Sequence, residues 1–115
     1  MINSYDFGLI VINGEEYISD VIVFPEKVID KWWRKEGHKL YVEDLKEILK
    51  HEPKPEFLVI GTGYSGFLKI LPEVKEALKS YGIELIAKPT KEACEVFNDI
   101  LKSGKKVVGA FHLTC

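Results

Sequence analysis

The chain has 115 residues, enough for one domain with a substantial core and too few for several. Hydrophobic residues at 46% and charged residues at 30% exclude general disorder, and no apolar run approaches the roughly 20 residues needed to cross a bilayer. A net charge of −2 argues against nucleic acid as a partner, because phosphate binding needs a concentrated positive field.

Met1 to Asp6 has neither the basic region nor the long apolar core of a signal peptide, so a cytoplasmic location is expected. Cys94 and Cys115 suit a reducing compartment and do not have the spacing of a metal-binding pair. Glutamine is absent, methionine occurs once, and arginine occurs only at Arg34, while Lys and Glu are abundant. That profile is typical of thermophile proteins, which avoid thermolabile residues and favour Lys/Glu ion pairs.

The first half of the chain reads as antiparallel strands. Phe7 to Ile12 and Glu15 to Ser19 flank Asn13-Gly14, the dipeptide best suited to a type I′ hairpin turn. Val21 to Phe24 is a third β-branched run, stopped at Pro25, and Val28-Ile29 forms a further short strand. Trp32-Trp33-Arg34 follows in the most basic part of the chain. Asp44 to Lys50 has the apolar spacing of a short amphipathic helix, ended by Pro53 and Pro55.

Beyond the prolines the hydrophobic period changes. Phe57 to Ile60 is a buried strand, Pro72 to Tyr81 a helix stopped at Gly82, and Ile83 to Ala87 the next strand. Thr90 stands where an N-cap belongs, before a helix that runs to about Lys102, and Val107 to Leu113 is the last strand. This is β-α-β-α-β, whose right-handed crossovers make the three strands parallel. The expected fold is a three-layer α/β single domain over 1–115, its N-terminal antiparallel strands joined to a βαβαβ unit in a mixed sheet.

The loop after the first parallel strand, Gly61-Thr62-Gly63-Tyr64-Ser65-Gly66, fits G-x-G-x-x-G letter for letter. Its surroundings do not fit a dinucleotide site. The helix begins late, at Pro72, instead of inside the motif, and Lys88-Pro89 stands where an acid should meet the ribose. A second nucleotide-binding half is missing, and no Gly-Lys-Ser/Thr follows to make a P-loop. No cofactor is expected.

Ligands of open α/β sheets still collect beyond the carboxyl ends of the strands. That edge makes Gly61, Thr62, Gly63, Lys88, Thr90 and Asn98 the candidate residues for a small anion or metabolite. Cys94 lacks a neighbouring base and reads as a structural thiol. A metal at His112 would need at least one further ligand, with His38 and His51 the available histidines, and none is expected.

The residues together resemble a known family. Trp33-Arg34-Lys-Glu-Gly37-His38, Leu58-Val59-Ile60-Gly61-x-Gly63, Thr90-x-x-Ala93-Cys94-x-x-Phe97-Asn98 and Val108-Gly109-x-Phe111-His112-x-Thr114-Cys115 look like the adipogenesis-associated Mth-domain proteins. Phe7-Gly8, Gly14, Tyr17 and Asp20 also fit, so the resemblance covers nearly the whole chain. The wider family includes a mitochondrial complex I assembly factor. The resemblance implies a three-layer mixed-sheet fold with no established catalytic residue or cofactor, and roles in binding or assembly. Phe97 departs from the pattern, which commonly has Tyr there, and relatives vary inside the glycine loop.

Two functions follow as expectations. The first is a non-catalytic binding or assembly module that meets a protein partner, or a second copy, through Trp32, Trp33, Arg34 and the glycine-loop edge. The second is a small-ligand binding protein or enzyme with its pocket at Gly61–Gly66.

Overall fold

In the computed structural model, which describes residues 1–115, the Asn13-Gly14 turn has positive φ at both residues. It joins β2 (Leu9–Ile12) to β3 (Glu15–Tyr17), as the dipeptide requires. The chain ahead of β2 differs from expectation. Ile2–Asp6 forms a strand, β1, and Phe7-Gly8 is the turn that pairs it with β2. The three strands form their own antiparallel sheet.

The main sheet has five strands. β4 (Val21–Val23) and β5 (Val28–Ile29) are antiparallel, while β7 (Phe57–Thr62), β9 (Glu84–Lys88) and β10 (Val107–His112) run parallel. Their spatial order is β5-β4-β10-β7-β9, with β4 antiparallel to β10, so the sheet is mixed. Between β5 and β7 lie β6 (Lys39–Leu40), a 3-10 turn (Val42–Leu45) and α1 (Lys46–Leu49). β6 pairs in parallel with β8 (Lys69–Ile70), a two-residue contact too short to leave a periodic signal.

α2 (Pro72–Ser80) follows β8, and α3 (Thr90–Lys102) links β9 to β10. The chain steps outward from β7 to β9 and then back past β7 to β10. Right-handed crossovers in opposite directions place α2 and α3 on opposite faces. Strand alternation divides the core accordingly. Ile22, Leu58, Ile60, Val108 and Ala110 face Val74 and Leu78 of α2, together with Leu45, Ile48 and Trp32. Val21, Val23, Val59, Val107 and Phe111 face Ala93, Cys94 and Phe97 of α3, together with Ile2, Ile10 and Ile12 from the small sheet. The domain therefore has three layers, with the five-stranded sheet in the middle.

Thr90 is the first residue of α3, not its cap. Pro89 occupies the N-cap position and makes no side-chain cap bond, which leaves the Thr90 hydroxyl for other work. No helix is long and apolar enough to cross a membrane.

Candidate functional site

The carboxyl ends of β7 and β10 meet the first turn of α3 around one hydroxyl. Thr90 is wholly buried; its Oγ1 donates to the His112 carbonyl at 2.6 Å and accepts from the Gly63 amide at 2.9 Å. Its own amide donates to the Gly63 carbonyl at 3.0 Å. Gly61 permits this approach, because a Cβ there would stand 2.8 Å from Thr90 Oγ1 and 2.9 Å from Phe111 Cδ1. Gly63 has φ +108°, and a Cβ on it would stand 2.5 Å from the Cys115 carbonyl oxygen.

The loop donates inward. Tyr64 N–H bonds the Thr114 carbonyl at 2.7 Å, Gly66 N–H bonds that of Gly63 at 3.2 Å, and Phe67 N–H that of Cys115 at 3.3 Å. Leu68 N–H reaches back to Thr62 at 3.0 Å. With the Gly63 amide held by Thr90, five of the loop's backbone donors are spent on the chain itself.

Of the six candidate ligand residues, Gly61, Thr62, Gly63 and Thr90 converge here, and all four are buried. Lys88 is exposed and lies 3.7 Å from Glu92. Asn98 stands about 12 Å further along α3 by helix rise. Its amide grips β1 at both groups of one residue: Ile2 N–H donates to Oδ1 at 2.9 Å, and Nδ2 donates to the Ile2 carbonyl at 2.8 Å. Asn98 thus fastens the small sheet to α3.

Beside the Thr90 junction lies a buried ionic cluster that sequence spacing does not reveal. Arg34 donates from one terminal nitrogen to Asp20 Oδ2 at 2.7 Å and from the other to the Gly37 carbonyl at 3.2 Å. His112 Nδ1 lies 2.8 Å from Asp20 Oδ2 and 3.0 Å from Arg34, and the Leu113 amide donates to Asp20 Oδ1 at 2.8 Å. The Arg34 and His112 side chains are only 5% and 8% exposed. Nδ1 cannot donate to Asp20 and accept from Arg34 at once. His112 Nε2 is buried without a partner, and an orphaned acceptor is more readily tolerated than an orphaned N–H. That favours the tautomer protonated at Nδ1, which donates to Asp20. Burial works against a charged Asp20, yet the hydrogen bonds from His112, the Leu113 amide and Arg34 outweigh it and hold the carboxyl below its ordinary value.

The cluster joins the residue before β4, the loop carrying Arg34 and the end of β10. It separates the three aromatic-basic candidates. Trp32 is buried, donates from Nε1 to the Asp44 carbonyl at 3.0 Å and lies beneath Arg34, whose guanidinium carbon is 4.9 Å from the ring centroid. Trp33 is 75% exposed. In the sequence the cluster is marked only by Asp20, Arg34 and His112 all lying on the family pattern.

Further exposed aromatic rings stand at the carboxyl ends of β7 and β10. Phe7 and Tyr64 meet edge to face at 5.6 Å, and Phe67 is 60% exposed on the glycine loop. Tyr5 lies 6.5 Å from Tyr64 and donates its hydroxyl to the Leu113 carbonyl at 2.7 Å; burial first, then the nearby Cys94, raises its pKa to about 12. Burial chiefly, with the Glu95 carboxylate, raises the Cys94 thiol to about 12 as well, so it stays protonated and non-nucleophilic at neutral pH. A cleft of about 330 Å³ bordered by Pro25, His51, Pro53, Pro55 and Lys106 lies at the opposite end of the parallel strands.

Fold and site together define a mixed-sheet α/β domain whose strand-end loops are tied down internally and rimmed by exposed aromatic side chains. The chain belongs to the family described as protein of unknown function (DUF498/DUF598), whose profile matches residues 2–112. It is 29% identical over 110 residues to the human protein named NADH dehydrogenase (ubiquinone) 1 alpha subcomplex assembly factor 3, covering 95% of this chain and 58% of that protein. The chain therefore spans little more than half the length of that relative. Among solved structures, a conserved hypothetical protein from Pyrococcus horikoshii OT3 superposes with a TM-score of 0.85 at 31% identity, covering 100% of this chain and 99% of that one. A Mth938-like domain from Bordetella pertussis superposes with a TM-score of 0.77 at 21% identity, over 98% and 85% of the two chains, a likeness of fold alone.

Proposed function

We propose that this domain is a non-catalytic binding module of the cytoplasm that acts in the assembly of a larger protein complex. The observation that carries the reading is the contrast at the strand ends. The glycine-loop donors of Gly63, Tyr64, Gly66, Phe67 and Leu68 bond within the chain and the Asp20 carboxylate is held by Arg34 and His112, while Phe7, Tyr64 and Phe67 stand exposed beside them and Trp33 stands exposed on the loop that carries Arg34. Large exposed aromatics on a rigid support are typical anchors of protein interfaces. A small-ligand site uses free inward-pointing donors and a cavity, and here the Gly63, Tyr64, Gly66 and Phe67 amides are occupied. The assembly role attached to the human relative's name supports the same reading, as do two unpaired thiols for a reducing compartment.

The test is affinity capture from extract of the native source with quantitative mass spectrometry. Wild-type protein is expected to retain a stoichiometric protein partner, and a Trp33→Ser/Tyr64→Ser/Phe67→Ser variant of unchanged thermal stability to lose it. Retention by the folded variant would remove the aromatic rim from the account.

A further inference from the structure

β9 is the outer strand of the five-stranded sheet, and one of its sides is unpaired. In a parallel ladder, alternate residues direct both backbone groups to the same neighbour. The Glu84 amide bonds the Glu56 carbonyl at 3.0 Å, on the side of β7. By alternation Glu84, Ile86 and Lys88 face β7, while Leu85 and Ala87 present their N–H and C=O groups to the open side. A free strand edge is a template for another strand.

We infer that this edge is an interface between two copies of this chain, β9 pairing antiparallel with its twin about a two-fold axis at Ile86. The sequence Glu84-Leu-Ile-Ala-Lys88 is self-complementary in that register. Leu85 pairs with Ala87 of the second copy, and Ala87 with Leu85, each exchanging both backbone bonds, so four hydrogen bonds form. Glu84 lies opposite Lys88 at both ends, and Ile86 meets its own twin. Opposite charges and β-branched residues across strands stabilise pairing, whereas like charges directly opposite weaken it.

Side-chain placement agrees with the register. Ile86 packs on the α3 side of the sheet and Leu85 on the α2 side. On the α2 side the edge borders a groove of about 420 Å³ floored by Leu78, Ile83, Leu85 and Ala87, which the second copy covers. Lys75 and Lys79 flank that groove and oppose close approach, but their long stems let the ammonium groups stay in water. The Lys88–Glu92 contact within one chain is exposed at 3.7 Å and readily exchanged. Pro89 lacks an N–H and halts the pairing after Lys88, and the sheet's opposite edge is the two-residue β5. The association thus closes as a dimer instead of growing into a fibre.

Sedimentation equilibrium across a concentration series, with amide hydrogen exchange, tests the interface. Wild-type protein is expected to show a monomer–dimer equilibrium, with exchange at Leu85 and Ala87 slowing as dimer forms. Glu84→Lys and Lys88→Glu each place like charges opposite one another twice, weakening dimerisation by about tenfold or more. The combined Glu84→Lys/Lys88→Glu variant restores it. Both positions are exposed, and far-UV circular dichroism checks that the variants fold. A wild-type monomer at millimolar concentration, a dimer indifferent to the charge swaps, or Leu85 and Ala87 amides unmoved by concentration would each overturn the proposal.

Discussion

Thr90 shows how one hydroxyl can do the work of a ligand. It is shared by the Gly63 amide and the His112 carbonyl, both at the buried end of the parallel strands. Thr90→Val keeps the shape and leaves those groups without their partner, so a loss of about 1–3 kcal/mol is expected, read by urea unfolding, with Thr90→Ser retaining most of the stability. The position was legible as a helix start because Thr precedes an amphipathic run. The partners were not, because they lie 27 and 22 residues away in sequence. The same is true of Asp20, whose contact with His112 spans 92 residues.

These residues also set the pH limits. Asp20 has a folded pKa below its ordinary value of 3.8, so its contribution is fully present above that value and is lost as pH falls through the folded pKa. Cys94 and Tyr5 shift the other way, from 9.0 and 10.0 to about 12. Once the unfolded groups ionise, the folded state binds more protons, so stability is full below pH 9 and falls as pH rises towards 12. Thermal unfolding midpoints should therefore drop at both ends, and Cys94→Ala should flatten the alkaline decline while costing core packing.

At the scale of elements, the second half of the chain was readable because each strand and helix there is long enough to show its period. β7, α2, β9, α3 and β10 lie where the apolar spacing and the Gly and Pro stops place them. β1 was not readable: Asn3, Ser4 and Asp6 are polar, and its single deeply buried residue is Ile2. Contact with the rest of the fold makes it a strand, much of it through the Asn98 amide that holds Ile2 by both backbone groups. Asn98→Ala removes both bonds at once. Amide exchange in β1 should then speed up well before exchange in β7 or β10, marking local release of the small sheet without global unfolding. Equal acceleration throughout would mean that Asn98 acts on the whole domain.

For the whole molecule, the glycine loop is the instructive case. Its letters match a phosphate-binding pattern, but the pattern does not encode where the amides point. The late helix start at Pro72 already argued against a nucleotide, and the structure supplies the reason the loop exists. Gly61 makes room for Thr90 and Phe111, and Gly63 makes room for the backbone at Cys115. What the sequence could not assign was exposure within the Trp pair, since Trp32 and Trp33 differ only in which side of an irregular loop they occupy. One became core and the other became surface. Calorimetric titration of the captured partner into wild-type and Trp33→Ser/Tyr64→Ser/Phe67→Ser protein tests the proposed aromatic interface. Affinity should fall by about 100-fold or more, as expected when interface anchors are truncated, with the thermal midpoint unchanged. Equal affinity for the two proteins would contradict it.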